Sequence, residues 1–184
     1  MFRVTCSMKL IVGLGNPGEK YKNNRHNVGF QFIDYLVQIL NKYKNISLKI
    51  QKMLHVTCYM FDDLILAKPQ TFMNKSGISV AKLFRNYKLR SENLFVVHDD
   101  LDIPLGKFKI QKGTGPMLHN GLASIENSIG TKDFWRIRIG VENRTKENWV
   151  DGETYVLNDF LENEEKSLLQ SFPDISKRLK ALLI

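Results

Sequence analysis

The chain has 184 residues, 43% hydrophobic and 25% charged, a balance that suits one globular domain with a sizeable core and excludes a disordered chain. Lys and Arg number 27 against 19 Asp and Glu, and the formal net charge of +8 points to an anionic partner, nucleic acid before membrane surface. No stretch approaches the roughly 20 apolar residues that span a bilayer, and two lone cysteines, Cys6 and Cys58, exclude a disulfide framework and fit a reducing, cytoplasmic setting.

Residues 1–7 lack the apolar core of a signal peptide. Met8 offers a second start, so 1–7 reads as an extension or a mis-called start and 8–184 as the domain. Residues 9–13 read as a buried strand running into a glycine turn. Residues 26–43 read as a helix, with Phe32, Ile33, Leu36, Leu40 and Tyr43 at helical spacing. Short strands are expected over 47–53, 55–61 and 64–67, then a helix over 76–87. The apolar run 94–97 predicts a strand ending at His98-Asp99-Asp100, and 107–111 and 135–141 alternate as strands do. Residues 121–129 and 162–183 read as helices, the second broken or kinked at Pro173. Strands alternating with helices predict the α/β class: a single domain with a central mixed β-sheet covered by helices on both faces, in three layers. Some connections are too short for crossover helices, which is why the sheet is expected to be mixed.

Gly13-Leu14-Gly15-Asn16-Pro17-Gly18 has the spacing of a dinucleotide-binding turn. The polar stretch after Pro17 is not the helix start that such a site needs for the pyrophosphate, so the run reads as a tight strand exit presenting Asn16. The carboxyl rim of an open α/β sheet is where ligands sit. Asn74, Asn120, His26 and the Asp99 segment are all expected at that rim beside Asn16. An amide both donates and accepts, which suits a peptide-like ligand. An imidazole takes a proton from water near neutral pH, and a carboxylate on its other nitrogen fixes the tautomer. No Gly-x-Ser-x-Gly elbow is present, so attack by activated water is favoured over a covalent intermediate. Asp99, Asp100 and Asp102 form an alternative magnesium set.

Six ordered motifs between Lys9 and Gly140 resemble the bacterial-type peptidyl-tRNA hydrolase family. They are residues 12–18 (VGLGNPG), 25–30 (RHNVGF), 68–77 (KPQTFMNKSG), 99–102 (DDLD), 119–122 (HNGL) and 136–140 (RIRIG). The resemblance implies a cofactor-free, metal-free enzyme that hydrolyses the ester between a peptide and the 3′ ribose of tRNA. It implies His26 as the base that activates water, Asp99 as its support, and Asn16 as the residue distinguishing N-blocked peptides from free aminoacyl groups. Tyr21, Phe72, Asn74 and Asn120 would line the site for the tRNA terminus and peptide, with Met73 packed beneath. The amides of Asn74 and Asn120 are also candidates to stabilise the oxyanion. The expected partner is peptidyl-tRNA, the expected state a monomer, with no membrane partner. Lys107, Lys109, Lys112, Arg136 and Arg138 fall on neighbouring expected strands and are candidates to hold acceptor-stem phosphates. The family's phosphate clamp falls at Gln111 and Arg138, and because Gln111 is uncharged, Lys109 or Lys112 would have to substitute for it.

Two departures stand out. Pro116, Met117 and Leu118 occupy a run that is glycine-rich in the family, which predicts a narrower or partly covered peptide groove. Glu142 stands where the family commonly has glycine. The competing class is a non-catalytic RNA-binding protein on the same fold.

Overall fold

In a computed structural model, residues 8–43, 49–53 and 55–183 are described. The extension read at 1–7 and the first two residues of the strand expected from 47 lie outside them. Seven strands, β1 (Lys9–Gly13), β2 (Lys49–Met53), β3 (Val56–Phe61), β4 (Leu64–Pro69), β5 (Leu94–Pro104), β6 (Phe108–Lys112) and β7 (Trp135–Glu142), form one sheet in the order β2-β3-β4-β1-β5-β7-β6. The central four, β4, β1, β5 and β7, are parallel, while β2, β3 and β6 add antiparallel edges, so the mixed sheet is observed.

The period-two alternation of the strands divides the core between two faces. Ile11, Leu66, Phe95, Val97, Ile137 and Ile139 pack with α1 (Val28–Tyr43) and α5 (Glu162–Leu183). Leu10, Val12, Ile65, Ala67, Leu94 and Val96 pack with α2 (Ser76–Asn86) and α3 (Asn120–Ile129). That is the expected three-layer arrangement. Side chains such as Phe32 and Phe172 are completely buried, and each contributes roughly 1.5–3 kcal/mol through burial.

Two glycines set how closely α1 approaches the sheet. A Cβ on Gly13 would lie 2.2 Å from the Gly29 carbonyl oxygen, and one on Gly29 would lie 2.5 Å from that of Val97. Gly13 of the first motif therefore serves backbone contact, and α1 opens only at Val28, ten residues past Gly18. This removes the dinucleotide reading.

Three elements differ from expectation. Strand β5 runs on to Pro104, with a register shift between Asp100 and Pro104. A short helix, α4 (Gly152–Leu157), follows an Asp151 side chain that accepts the Thr154 N–H. Helix α5 is not broken at Pro173: the proline is on the exposed side, where water can satisfy the carbonyl that loses its partner. Among the described residues, no helix is long and apolar enough to cross a membrane.

Candidate active site

His26 lies on a 3-10 turn, Arg25–Asn27, wedged between the exit of β1 and the start of α1. Both neighbours pin that turn. The Asn27 side chain accepts the Asn16 N–H at 2.8 Å and donates to the Asn16 carbonyl at 2.9 Å, extending a sheet-like pairing with an amide side chain. Arg25 is buried on the opposite side, where it pairs with Glu164 of α5 at 2.5 Å. Its guanidinium also donates to the carbonyls of Asn158 and Asp159 at 3.1 and 2.8 Å, and covers the Tyr155 ring at 4.0 Å.

β5 carries Asp99 past the end of β1, and the carboxylate meets two imidazoles. His26 Nδ1 lies 2.9 and 3.0 Å from its two oxygens, and His119 Nε2 lies 3.1 Å from Oδ1. His119 is the N-cap of α3: its Nδ1 accepts from the Gly121 and Leu122 N–H groups, so the ring proton sits on Nε2 and is donated to Asp99. Burial opposes the carboxylate's charge, but the two histidines outweigh it and hold Asp99 well below the usual carboxylate range. Burial likewise opposes a charged His26, yet the charge and hydrogen bond of Asp99, with a further pull from Glu153, raise its pKa above 6.5. His98, on the other face of β5, is pushed down to about 3 by burial and by His119, and stays neutral.

With Nδ1 donating to Asp99, Nε2 of His26 keeps a lone pair for a proton. Its side chain retains 12% of its surface, enough for a water to reach it. The amide oxygen of Asn16 accepts the Met73 N–H at 2.8 Å, which turns its NH2 group away as a free donor. Met73 is buried beneath the opening of α3, where a Cβ on Gly121 would meet its sulfur at 2.6 Å. Asn74 and Asn120 are exposed, each directly after a residue bonded into the cluster, Met73 and His119. Tyr21 and Phe72 meet edge to face with centroids 6.4 Å apart, and Phe72 is 55% exposed.

Other expectations change. Arg138 is a register partner of Lys109, but its side chain is buried and donates to Asp100 at 2.6 Å, with Asp102 at 3.6 Å. Arg136 is buried against Glu126 at 2.7 Å, and Lys112 pairs with Asp133. Of that strip, Lys107 and Lys109 alone are exposed with no ion pair among the described residues. Gln111 donates to the Thr114 carbonyl. Met117 and Leu118 are 97% and 91% exposed, so they cover no groove: the loop bends outward where Gly115 lies against Arg136.

The three aspartates do not converge as an ion site. Asp99 faces the imidazoles, while Asp100 is held by Arg138. His26, Asp99 and His119 do offer ligand atoms within 4.8 Å of one another. A cation on His119 Nε2 would force its proton onto Nδ1, against the two N–H groups of the cap, so the set does not suit one. Arg25, Asn27 and His119 carry no site role in the sequence reading. Their signal lay in flanking His26 and Asn120, and their partners stand 139, 11 and 20 positions away, on other segments of the chain.

A family model described as peptidyl-tRNA hydrolase matches residues 10–184. A peptidyl-tRNA hydrolase of Lawsonia intracellularis is 45% identical over 148 residues, 78% of this chain and 74% of the relative. One from Sulfurovum sp. is 41% identical over 96% of this chain and 89% of its own. The crystal structure of peptidyl-tRNA hydrolase from Acinetobacter baumannii superposes with a TM-score of 0.80 at 35% identity, covering 96% of this chain and 88% of that one.

Proposed function

Because the chain belongs to the peptidyl-tRNA hydrolase family, we propose that it hydrolyses the ester joining a peptide to the 3′ ribose of tRNA, with His26 as general base. The observation that carries this reading is the His26–Asp99 contact at 2.9 Å, which fixes the tautomer that leaves Nε2 free. Water attacks the ester carbonyl carbon while Nε2 takes one of its protons. Asp99 meets the imidazolium so formed. When the C–O bond to the ribose breaks, the Nε2 proton passes to the leaving 3′ oxygen, and the carboxylic acid of the peptide remains.

The amides of Asn74 and Asn120, both exposed, donate to the developing oxyanion. The NH2 of Asn16, aimed by its bond to Met73, selects acyl groups whose nitrogen is blocked as an amide. Tyr21 and Phe72 offer ring surface to the tRNA terminus. Lys107 and Lys109 take acceptor-stem phosphates, with Arg138 held beside Lys109 by Asp100. The enzyme works as a cytoplasmic monomer and needs no metal.

The test is hydrolysis of N-acetylaminoacyl-tRNA by the wild type and His26→Ala, with free aminoacyl-tRNA as control. The expected result is cleavage of the blocked substrate alone, falling about 10²–10⁴-fold in the variant. A folded wild type that binds tRNA and cleaves nothing would make the protein an RNA binder on this fold.

A further inference from the structure

The segment between β7 and α4 holds a feature that the hydrolytic site does not use. Glu142, the residue standing in place of a glycine, grips Arg144. Its carboxylate accepts from Arg144 Nε at 3.0 and 3.1 Å, from Nη2, and from the Arg144 backbone N–H at 2.8 Å. Nη1 of the same guanidinium donates to the Val150 carbonyl at 2.9 Å, closing the loop. The guanidinium lies 4.5 Å from the Trp149 ring centroid and 5.0 Å from that of Tyr155. Trp149 is thus braced on one face, yet it is 67% exposed. Arg144, Thr145, Lys146 and Trp149 line an open hollow of about 590 Å³.

The loop that forms this hollow leads into α4, which packs beside the proposed catalytic centre. A Cβ on Gly152 would lie 3.0 Å from Leu101, two residues after Asp99. Helix α4 lies against the turn that carries His26, through the Arg25 contact with the Tyr155 carbonyl. An indole braced by a guanidinium is already ordered before anything binds, so a flat ligand loses little in fixing it. Lys146 is exposed and has no ion pair recorded among the described residues. Glu147 and Asp151 flank the loop with negative charge. The hollow therefore favours the face of a ring over a row of phosphates.

We propose that Trp149, braced by Arg144 and Glu142, is a stacking shelf for an unpaired nucleobase at the 3′ end of the tRNA, with Lys146 beside the adjoining phosphate. The proposal rests on the hydrolase reading for its choice of ligand. A base stacked on an aromatic side chain typically accounts for about 5- to 150-fold in affinity.

The chain has two tryptophans, and Trp135 is stacked on Phe95, so Trp135→Phe leaves Trp149 as the sole reporter. A CCA trinucleotide should quench its fluorescence saturably, and the same trinucleotide with an abasic last residue should bind less tightly. In the wild-type background, Trp149→Ala should weaken trinucleotide binding about 5- to 150-fold and raise KM for N-acetylaminoacyl-tRNA more than it lowers kcat. Trp149→Phe should keep most of the affinity. Equal trinucleotide affinity of wild type and Trp149→Ala would overturn the shelf. Quenching by an N-acetylated apolar dipeptide and not by the trinucleotide would also overturn it, giving the hollow to the peptide. Wild-type hydrolysis measured in parallel separates the two readings: cleavage with no role for Trp149 sinks the shelf alone, and absent cleavage sinks the hydrolase.

Discussion

Replacing Asp99 with Asn changes one atom and removes one charge, and the surrounding hydrogen bonds dictate how the amide must sit. His119 cannot rearrange to suit it, because its Nδ1 caps α3 and its Nε2–H must find an acceptor. The amide oxygen therefore takes the Oδ1 position, 3.1 Å from His119 Nε2 and 2.9 Å from His26 Nδ1, and the NH2 falls at Oδ2, 3.0 Å from the same Nδ1. Nδ1 then meets a neutral oxygen already shared with His119 and an NH2 that needs an acceptor, which shifts the ring toward the tautomer with its proton on Nε2, where no lone pair is left for water. The loss should approach the full worth of a general base with its orienting carboxylate, about 10²–10⁴-fold in the single-turnover rate. The pH profile gives a second reading. The raised pKa of His26 means that wild-type activity rises with pH through a value above 6.5, as the ring becomes neutral. The stability contributed by the charged His26–Asp99 pair runs the other way: it is fully present below 6.5 and lost as pH rises through that raised value. The Asp99→Asn variant should lose both dependences. A variant within tenfold of wild type, with the same ascending limb, would refute the tautomer argument.

Glu164→Ala should cost about 3–5 kcal/mol in urea unfolding, because Arg25 is left buried without its counter-charge, and it should lower turnover by loosening the His26 turn; a cost under 1 kcal/mol would contradict this. Gly77→Ala puts a Cβ 2.0 Å from the Ser124 carbonyl oxygen, where α2 crosses α3. A loss of about 3 kcal/mol, or roughly 6–12 °C in Tm, is expected by calorimetry, and an unchanged Tm would show that the helices can separate freely. The double variant Lys107→Ala/Lys109→Ala should weaken tRNA binding and reduce the slope of log affinity against log salt by about 2; an unchanged slope would move the phosphate contacts elsewhere.

Much of the fold was legible because its strands are apolar and its helices periodic. Leu94 to Val97 announced a buried strand, and Phe32, Ile33 and Leu36 announced the covered face of α1. What stayed hidden were polar residues made compatible with burial by partners far along the chain. Strand β5 looked finished at His98 because Asp99 and Asp100 are charged, and neither His26 nor Arg138 lies nearby in sequence. Arg25 lies in the polar stretch after Pro17, and the glutamate that neutralises it comes 139 positions later. His26, Asn16 and Asp99 could be singled out because their residue types carry chemistry and strand ends place them on one rim. His119 escaped because a histidine before a helix looks like a cap, and here it is one, with its second nitrogen free to serve Asp99. Helix α4 spans only six residues, too few for periodicity to mark it.

The lysines of β6 have a bearing on the molecule's solubility as well as on its substrate. That strand closes one side of the sheet, so one row of its backbone N–H and C=O groups has no neighbouring strand among the described residues. Such a row is a template on which another chain can align. Lys107, just before that strand, and Lys109, within it, are exposed, so a second copy pairing there in antiparallel fashion would set ammonium groups against one another without counter-charge. The same side chains that would draw in an anionic stem thus keep two folded copies from joining edge to edge.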